Sequence, residues 1–137
     1  MAIVQDTPRV HFPINRHFTT ENTHPYDEVS WELRTAKIVN KDDKLVFFQN
    51  NVEFPSFWSQ TATNVVASKY FRGPQGTLKH ETSVKGMINR IVYSIACWGS
   101  EAGYFENIEE GETFTRELQY ILLHQYAAFN SPVYFNI

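Results

Sequence analysis

Ser83-Val84-Lys85-Gly86-Met87-Ile88-Asn89-Arg90-Ile91-Val92-Tyr93-Ser94-Ile95-Ala96-Cys97-Trp98 holds the clearest periodic signal in the chain. Val84, Met87, Ile88, Ile91, Val92, Ile95 and Trp98 recur at helical spacing, which lays them along one stripe of an amphipathic helix. Thr82 or Ser83 can open this helix by accepting a bond from an unpaired backbone N–H. Gly99 and Gly103 are the expected breaks at its far end.

Working outward, a third helix is expected over about 112–127, with Phe114, Leu118, Ile121, Leu122 and Gln125 on one face. Glu109, Glu110 and Glu112 sit near its start, where the helix dipole favours negative charge. Asn130-Ser131-Pro132 is expected to end it, because the residue before proline is pushed away from helical angles. Upstream, Trp58, Ala62, Val65, Val66 and Tyr70 predict a helix over about 56–71, closed by Gly73-Pro74. Before that, Trp31 to Val39 alternates apolar with polar residues, Asn40-Lys41-Asp42-Asp43-Lys44 is turn chemistry, and Leu45-Val46-Phe47-Phe48 returns. Residues 31–48 therefore predict a β-hairpin, and 1–28, rich in Pro, His, Asn and Thr, an extended or loosely ordered arm. The fold class expected is mainly α with a small N-terminal β-hairpin (α+β), residues 29–137 forming one helical domain.

Composition narrows the function. At 137 residues there is room for one core, or for a piece of a larger domain, and an aromatic share of 15% is too bulky for a disordered linker. A net charge of −3 without a basic stripe argues against a partner of DNA or RNA duplex. The single cysteine, Cys97, excludes an intramolecular disulfide and a Cys-based zinc cluster. Without a signal-peptide pattern or an apolar run near the ~20 residues of a membrane span, a cytoplasmic protein is the default. The apolar close, Ala127-Ala128-Phe129-Asn130-Ser131-Pro132-Val133-Tyr134-Phe135-Asn136-Ile137, is expected to mark a chain that was cut or is completed by another.

A search for chemistry returns little. His11, His17, His24, His80 and His124 have no metal-ligand spacing, and solvated or locally hydrogen-bonded rings are the reading for each. Cys97, inside an apolar helix, is expected to be a buried structural thiol. Gly73-Pro74-Gln75-Gly76 is too short for a dinucleotide fingerprint. Lys69 and Arg72 flank Tyr70-Phe71; a solvated helix end explains them better than a phosphate site. The run of Glu106, Glu109, Glu110 and Glu112 is read as a solvated helix start rather than paired catalytic carboxylates. Ser131 lacks an activating His and a nucleophile-elbow motif, so on residue chemistry it is a turn serine that could also offer its hydroxyl to a phosphate or sugar.

An ordered set of segments adds to this reading. Val52-Glu53-Phe54-Pro55 with Phe57-Trp58-Ser59-Gln60, Ala67 to Gly73, Ser83-Val84-Lys85 running to Arg90-Ile91-Val92, Trp98-Gly99, Gly103-Tyr104-Phe105, Glu117-Leu118 and, above all, Ala127 to Asn136 resemble the N-terminal region of adenosylcobalamin-dependent (class II) ribonucleotide reductases. The resemblance implies a helical segment preceding a ten-stranded α/β barrel, in an enzyme that reduces ribonucleotides by thiyl-radical chemistry. It also implies that the catalytic cysteines and the adenosylcobalamin site lie outside this chain, and that Cys97 has no counterpart among them. No catalytic or metal residue is carried over. The hydroxyl residue of the family's N-S-P segment lines the substrate pocket, and Ser131 occupies that position. The partners implied are the C-terminal catalytic part, in the same chain or in trans, and the ribonucleotide substrate. The competing reading is a free-standing helical module that binds a nucleotide or partner without catalysis. Self-association through Phe129, Tyr134 and Phe135 is a further expectation.

Overall fold

The computed structural model describes residues 13–137; the first part of the expected arm, with His11, lies outside the described residues. A 3₁₀ turn, Pro25–Glu28, precedes the antiparallel hairpin β1 (Trp31–Val39) and β2 (Leu45–Pro55). Four helices follow: α1 (Gln60–Lys69), α2 (Val84–Glu101), α3 (Ile108–Leu123) and α4 (Ser131–Asn136). The class is α+β, as expected.

The hairpin pairs Trp31 with Pro55 and Val39 with Leu45, with irregular register between Arg34 and Ala36 and between Ile38 and Val39. Its turn is held by Asn40, whose side chain accepts from Asp42 and Lys44 N–H groups at 2.9 and 3.0 Å. One face, carrying Ala36, Phe47, Val52 and Phe54, is buried against the helices. The opposite face leaves Leu33, Val39, Leu45 and Phe48 more than half exposed. Residues paired across the strands share a face, so Val39 lies beside Leu45 and Lys37 beside Phe48.

The core joins that inner face to α1, α2 and α3. Phe54, Ile88, Ile91 and Leu123 are fully buried, each worth roughly 1.5–3 kcal/mol against an exposed side chain. Phe54 packs on Trp58 and Phe71 at centroid separations of 5.8 and 5.6 Å. The Trp58 indole donates to the Leu123 carbonyl at 2.7 Å, satisfying a buried polar atom at each end. Between α2 and α3 the polar contacts form a chain: Tyr26 Oη donates to Asn89 Oδ1 at 2.7 Å, Gln119 donates to the same oxygen at 2.9 Å, and Arg116 donates to Gln119 Oε1.

Helix boundaries differ from the expected ones for local reasons. β2 runs through Pro55, and α1 starts at Gln60 rather than at about 56, capped by Ser59, which accepts from Ala62 N–H at 3.0 Å. Gly99 does not stop α2; a Cβ there would lie 3.0 Å from Phe105, so this glycine serves close packing. The stop is Gly103, at φ +74°, with Tyr104 and Gly103 N–H groups closing onto the Gly99 and Ser100 carbonyls in a Schellman motif. Asn107 caps α3 four residues upstream of the expected start (Ile108 against 112), so Gly111 lies inside the helix, also against Phe105. α3 ends at Leu123 because Gln125 turns left-handed at φ +59°. Pro132 does not end a helix. It sits in the first turn of α4, where its missing N–H costs nothing.

Two side chains hold the irregular regions. Arg34, 12% exposed, donates to the carbonyls of Pro55, Ser56 and Trp58 and to Thr63 Oγ1, knitting the β2–α1 turn to the sheet. Glu117, buried on α3, accepts from the backbone N–H groups of His17 and Phe18, and Phe18 stacks on Tyr120 at 5.1 Å. Residues 17–18 are therefore pinned rather than loose.

Arg34→Ala should lower unfolding stability by about 2–4 kcal/mol, since it strands several carbonyls, and Arg34→Lys should recover less than half, because an ammonium cannot reproduce the planar fork; urea midpoints test both. A pH effect follows from His24. Its Nδ1 accepts from Tyr26 N–H at 3.0 Å, so protonating that nitrogen sets a donor against a donor, and its Nε2 lies 2.9 Å from the Arg116 guanidinium, whose charge opposes a second positive charge. Burial, then Arg116, holds its pKa below the ordinary 6.5. The unfolded chain thus binds the proton more readily, and stability present above 6.5 falls as pH drops through 6.5 toward the folded value. Melting temperatures between pH 7.5 and 5.5 should decline, less steeply in His24→Asn, which retains a capping acceptor.

Candidate functional site

Ser131 is the first residue of α4 and is half-buried. Its Oγ lies 3.0 Å from the Tyr70 hydroxyl, at the end of α1. The Tyr70 ring stacks on Phe135 at 5.3 Å and 8°, and meets Tyr134 edge-on at 5.5 Å. Beside this cluster lies a mainly apolar pocket of about 480 Å³, with Trp58, Val66, Tyr70, Met87, Phe129 and Tyr134 in its wall.

Two arginines fix α4 from below. Arg90, on α2, donates to the main-chain oxygens of Tyr134 at 2.9 Å, Ile137 at 2.6 Å and Tyr70 at 3.1 Å. Its Nε pairs with Glu81 at 2.9 Å, and the two side chains are 15% and 16% exposed. The same Glu81 oxygen accepts from Arg72 N–H at 2.9 Å. Arg72 also donates to the main-chain oxygens of Ile137 and Phe135 at 2.7 and 3.4 Å. Arg72 is thus engaged with α4 while remaining exposed, as Lys69 also is. Arg90 escaped the sequence reading because it interrupts an apolar stripe as an ordinary polar-face residue would.

The remaining candidates separate. Cys97 is exposed, not buried, since it falls on the face of α2 opposite Ile88 and Ile91. The Glu101 carboxylate beside its thiol, at 3.6 Å, pushes its pKa up, which keeps it protonated and a poor nucleophile. His80 is buried, with Nδ1 2.8 Å from the Gly73 carbonyl, so that nitrogen carries the proton. His124 is not solvated: it stacks on Tyr120 and Phe57 at 4.0 and 5.4 Å, and burial lowers its pKa. Among the described residues no group of three His, Cys, Asp or Glu is placed to hold a metal ion. Among them too, no helix is long and apolar enough to cross a membrane. A polar cleft of about 560 Å³ between residues 16–27 and α3 carries Arg16 and Arg116 against Glu21, Asp27, Glu109 and Glu112, mixed charge that selects no ligand sign.

This arrangement can present a hydroxyl pair on a rigid platform. A family model described as class II vitamin B12-dependent ribonucleotide reductase matches residues 32–125, ending before Ser131. The chain is 50% identical over 125 residues to a vitamin B12-dependent ribonucleotide reductase of Streptomyces clavuligerus, covering 90% of this chain and 13% of that protein. It is 46% identical over 114 residues to one of Rhodopirellula baltica (82% of this chain, 11% of that protein), and 34% identical to one of Bradyrhizobium diazoefficiens (90% and 12%). The chain therefore spans little more than a tenth of the length of these relatives, and it belongs to the class II vitamin B12-dependent ribonucleotide reductase family as an N-terminal segment.

Proposed function

We propose that this chain is the architectural N-terminal part of a cobalamin-dependent ribonucleotide reductase and that Ser131 is its contact with the ribonucleotide. The observation that carries this reading is the way α4 is held. A six-residue helix would not persist in isolation, yet Arg90, Arg72 and the Tyr70 ring hold its C-terminal half, and the Tyr70 hydroxyl meets Ser131 at its start. That platform presents one half-buried hydroxyl whose partner in the structure is another hydroxyl. A serine Oγ in that setting can exchange or extend its bond to a phosphate or ribose oxygen without reorganising the backbone.

The chain's own contribution is binding and orientation. In the complete enzyme adenosylcobalamin supplies the radical that starts reduction. The catalytic cysteines and the cofactor site are assigned to the C-terminal part, in the same chain or in trans. The outer hairpin face supports such packing, because Leu33, Val39, Leu45, Val46 and Phe48 are all more than half exposed. An apolar surface of that kind favours a covering partner over water.

Combining this chain with the catalytic part, adenosylcobalamin and a thiol reductant should yield deoxynucleotide formation that the catalytic part alone does not reach. Equal activity without this chain would refute the architectural role. In the completed enzyme Ser131→Ala should raise KM for the ribonucleotide by about 10-fold, with a smaller effect on kcat, through loss of a hydrogen bond to a charged or polar substrate group. An unchanged KM would remove Ser131 from the site.

A further inference from the structure

We propose that Tyr70 is a positioning residue for the substrate: its phenol donates to Ser131 Oγ, so that the proton of Ser131 points to the incoming ribonucleotide. This inference rests on the substrate role of Ser131.

The 3.0 Å separation establishes the bond but not its direction, since either hydroxyl can donate. Acidity decides between them. A phenol titrates near ~10 and is a far stronger acid than an aliphatic alcohol, so it is the better donor and the serine oxygen the better acceptor. With Tyr70 donating, one lone pair of Oγ is occupied and the Ser131 proton remains for a phosphate or ribose oxygen. Without Tyr70 the hydroxyl would rotate freely, or turn back onto nearby backbone as helix-terminal serines do.

Tyr70 suits this role because every part of it is fixed relative to α4. Its ring lies parallel to Phe135, four residues beyond Ser131 on the same helix, and edge-on to Tyr134. Its carbonyl receives Arg90, which simultaneously holds the Tyr134 main-chain oxygen. Arg90 is aimed in turn by Glu81. One guanidinium thus bonds the backbone at Tyr70 and at the C-terminal end of α4. Asn130, the N-cap, makes no side-chain capping bond, so the turn itself does not orient the hydroxyl.

The test is a double-mutant cycle in the completed reductase with Tyr70→Phe, Ser131→Ala and the double variant, reading KM and kcat for the ribonucleotide alongside the melting temperature. Phenylalanine keeps the ring on Phe135 and Tyr134 and removes only the hydroxyl. Tyr70→Phe should raise KM roughly 3- to 10-fold with kcat within about twofold and the melting temperature essentially unchanged. In the Ser131→Ala background it should add nothing beyond about twofold, because the hydroxyl it positions is gone. If Ser131→Ala raises KM and Tyr70→Phe does not, the positioning role is overturned while the Ser131 contact stands. An equal effect of Tyr70→Phe with and without Ser131 also overturns it, as does a lowered melting temperature with KM unchanged. Should Ser131→Ala itself leave KM unchanged, the underlying reading fails and this inference fails with it.

Discussion

One carboxylate oxygen of Glu81 holds both the Arg72 N–H and the Arg90 guanidinium, and the position of α4 depends on that contact. The pair is mostly enclosed, so removing either partner leaves a charge with little water to replace it, a loss of the order of 3–5 kcal/mol in such settings. Arg90 then distributes its remaining donors among main-chain oxygens of α1's end and of α4. Four segments distant in sequence meet at one planar fork. A lysine offers a point charge there and could not bridge them in the same geometry.

The consequences reach the surface. α4 is too short to be stable alone and contributes no buried residue to the core. Its order derives from Arg72, Arg90 and the aromatic contacts of Tyr70, together with the partial packing of Tyr134 against the core. Polar anchoring of this kind fixes register, whereas a greasy contact can slide. That difference matters where one hydroxyl must be presented in one place. The same logic governs the chain's other end, where Glu117 and the Phe18–Tyr120 stack tie an irregular segment to α3.

How much was legible in the sequence follows from which signals are local. The period of Val84 to Ile95 and the alternation of Trp31 to Val39 express burial of one face, and a helix and a strand form over those residues. Glycine misled in two directions. Gly99 looks like a helix break but, like Gly111 inside α3, admits the Phe105 ring, while the left-handed residue that ends α3 is Gln125, which carries no such signature. Pro132 was ambiguous in principle, because proline both follows helices and opens them. Cys97 was placed inside by its apolar neighbours, although its angle around α2 puts it in solvent. Ser131 could be nominated only through family resemblance. Tyr70 and Arg90 act through partners 61 and 44 residues away, which no local pattern encodes.

The chain belongs to the class II reductase family as an N-terminal segment of a much longer protein. Its outer hairpin face is apolar, the carboxylate beside Cys97 raises that thiol's pKa, and the Tyr70 hydroxyl at the end of α1 meets Ser131 on α4. The most direct test is a structure of the completed reductase with a ribonucleotide bound. The account predicts Ser131 Oγ within about 3 Å of a phosphate or ribose oxygen, with the Tyr70 bond retained behind it. A ribonucleotide bound beyond hydrogen-bonding reach of Ser131, with the hydroxyl pair still facing only each other, would contradict it.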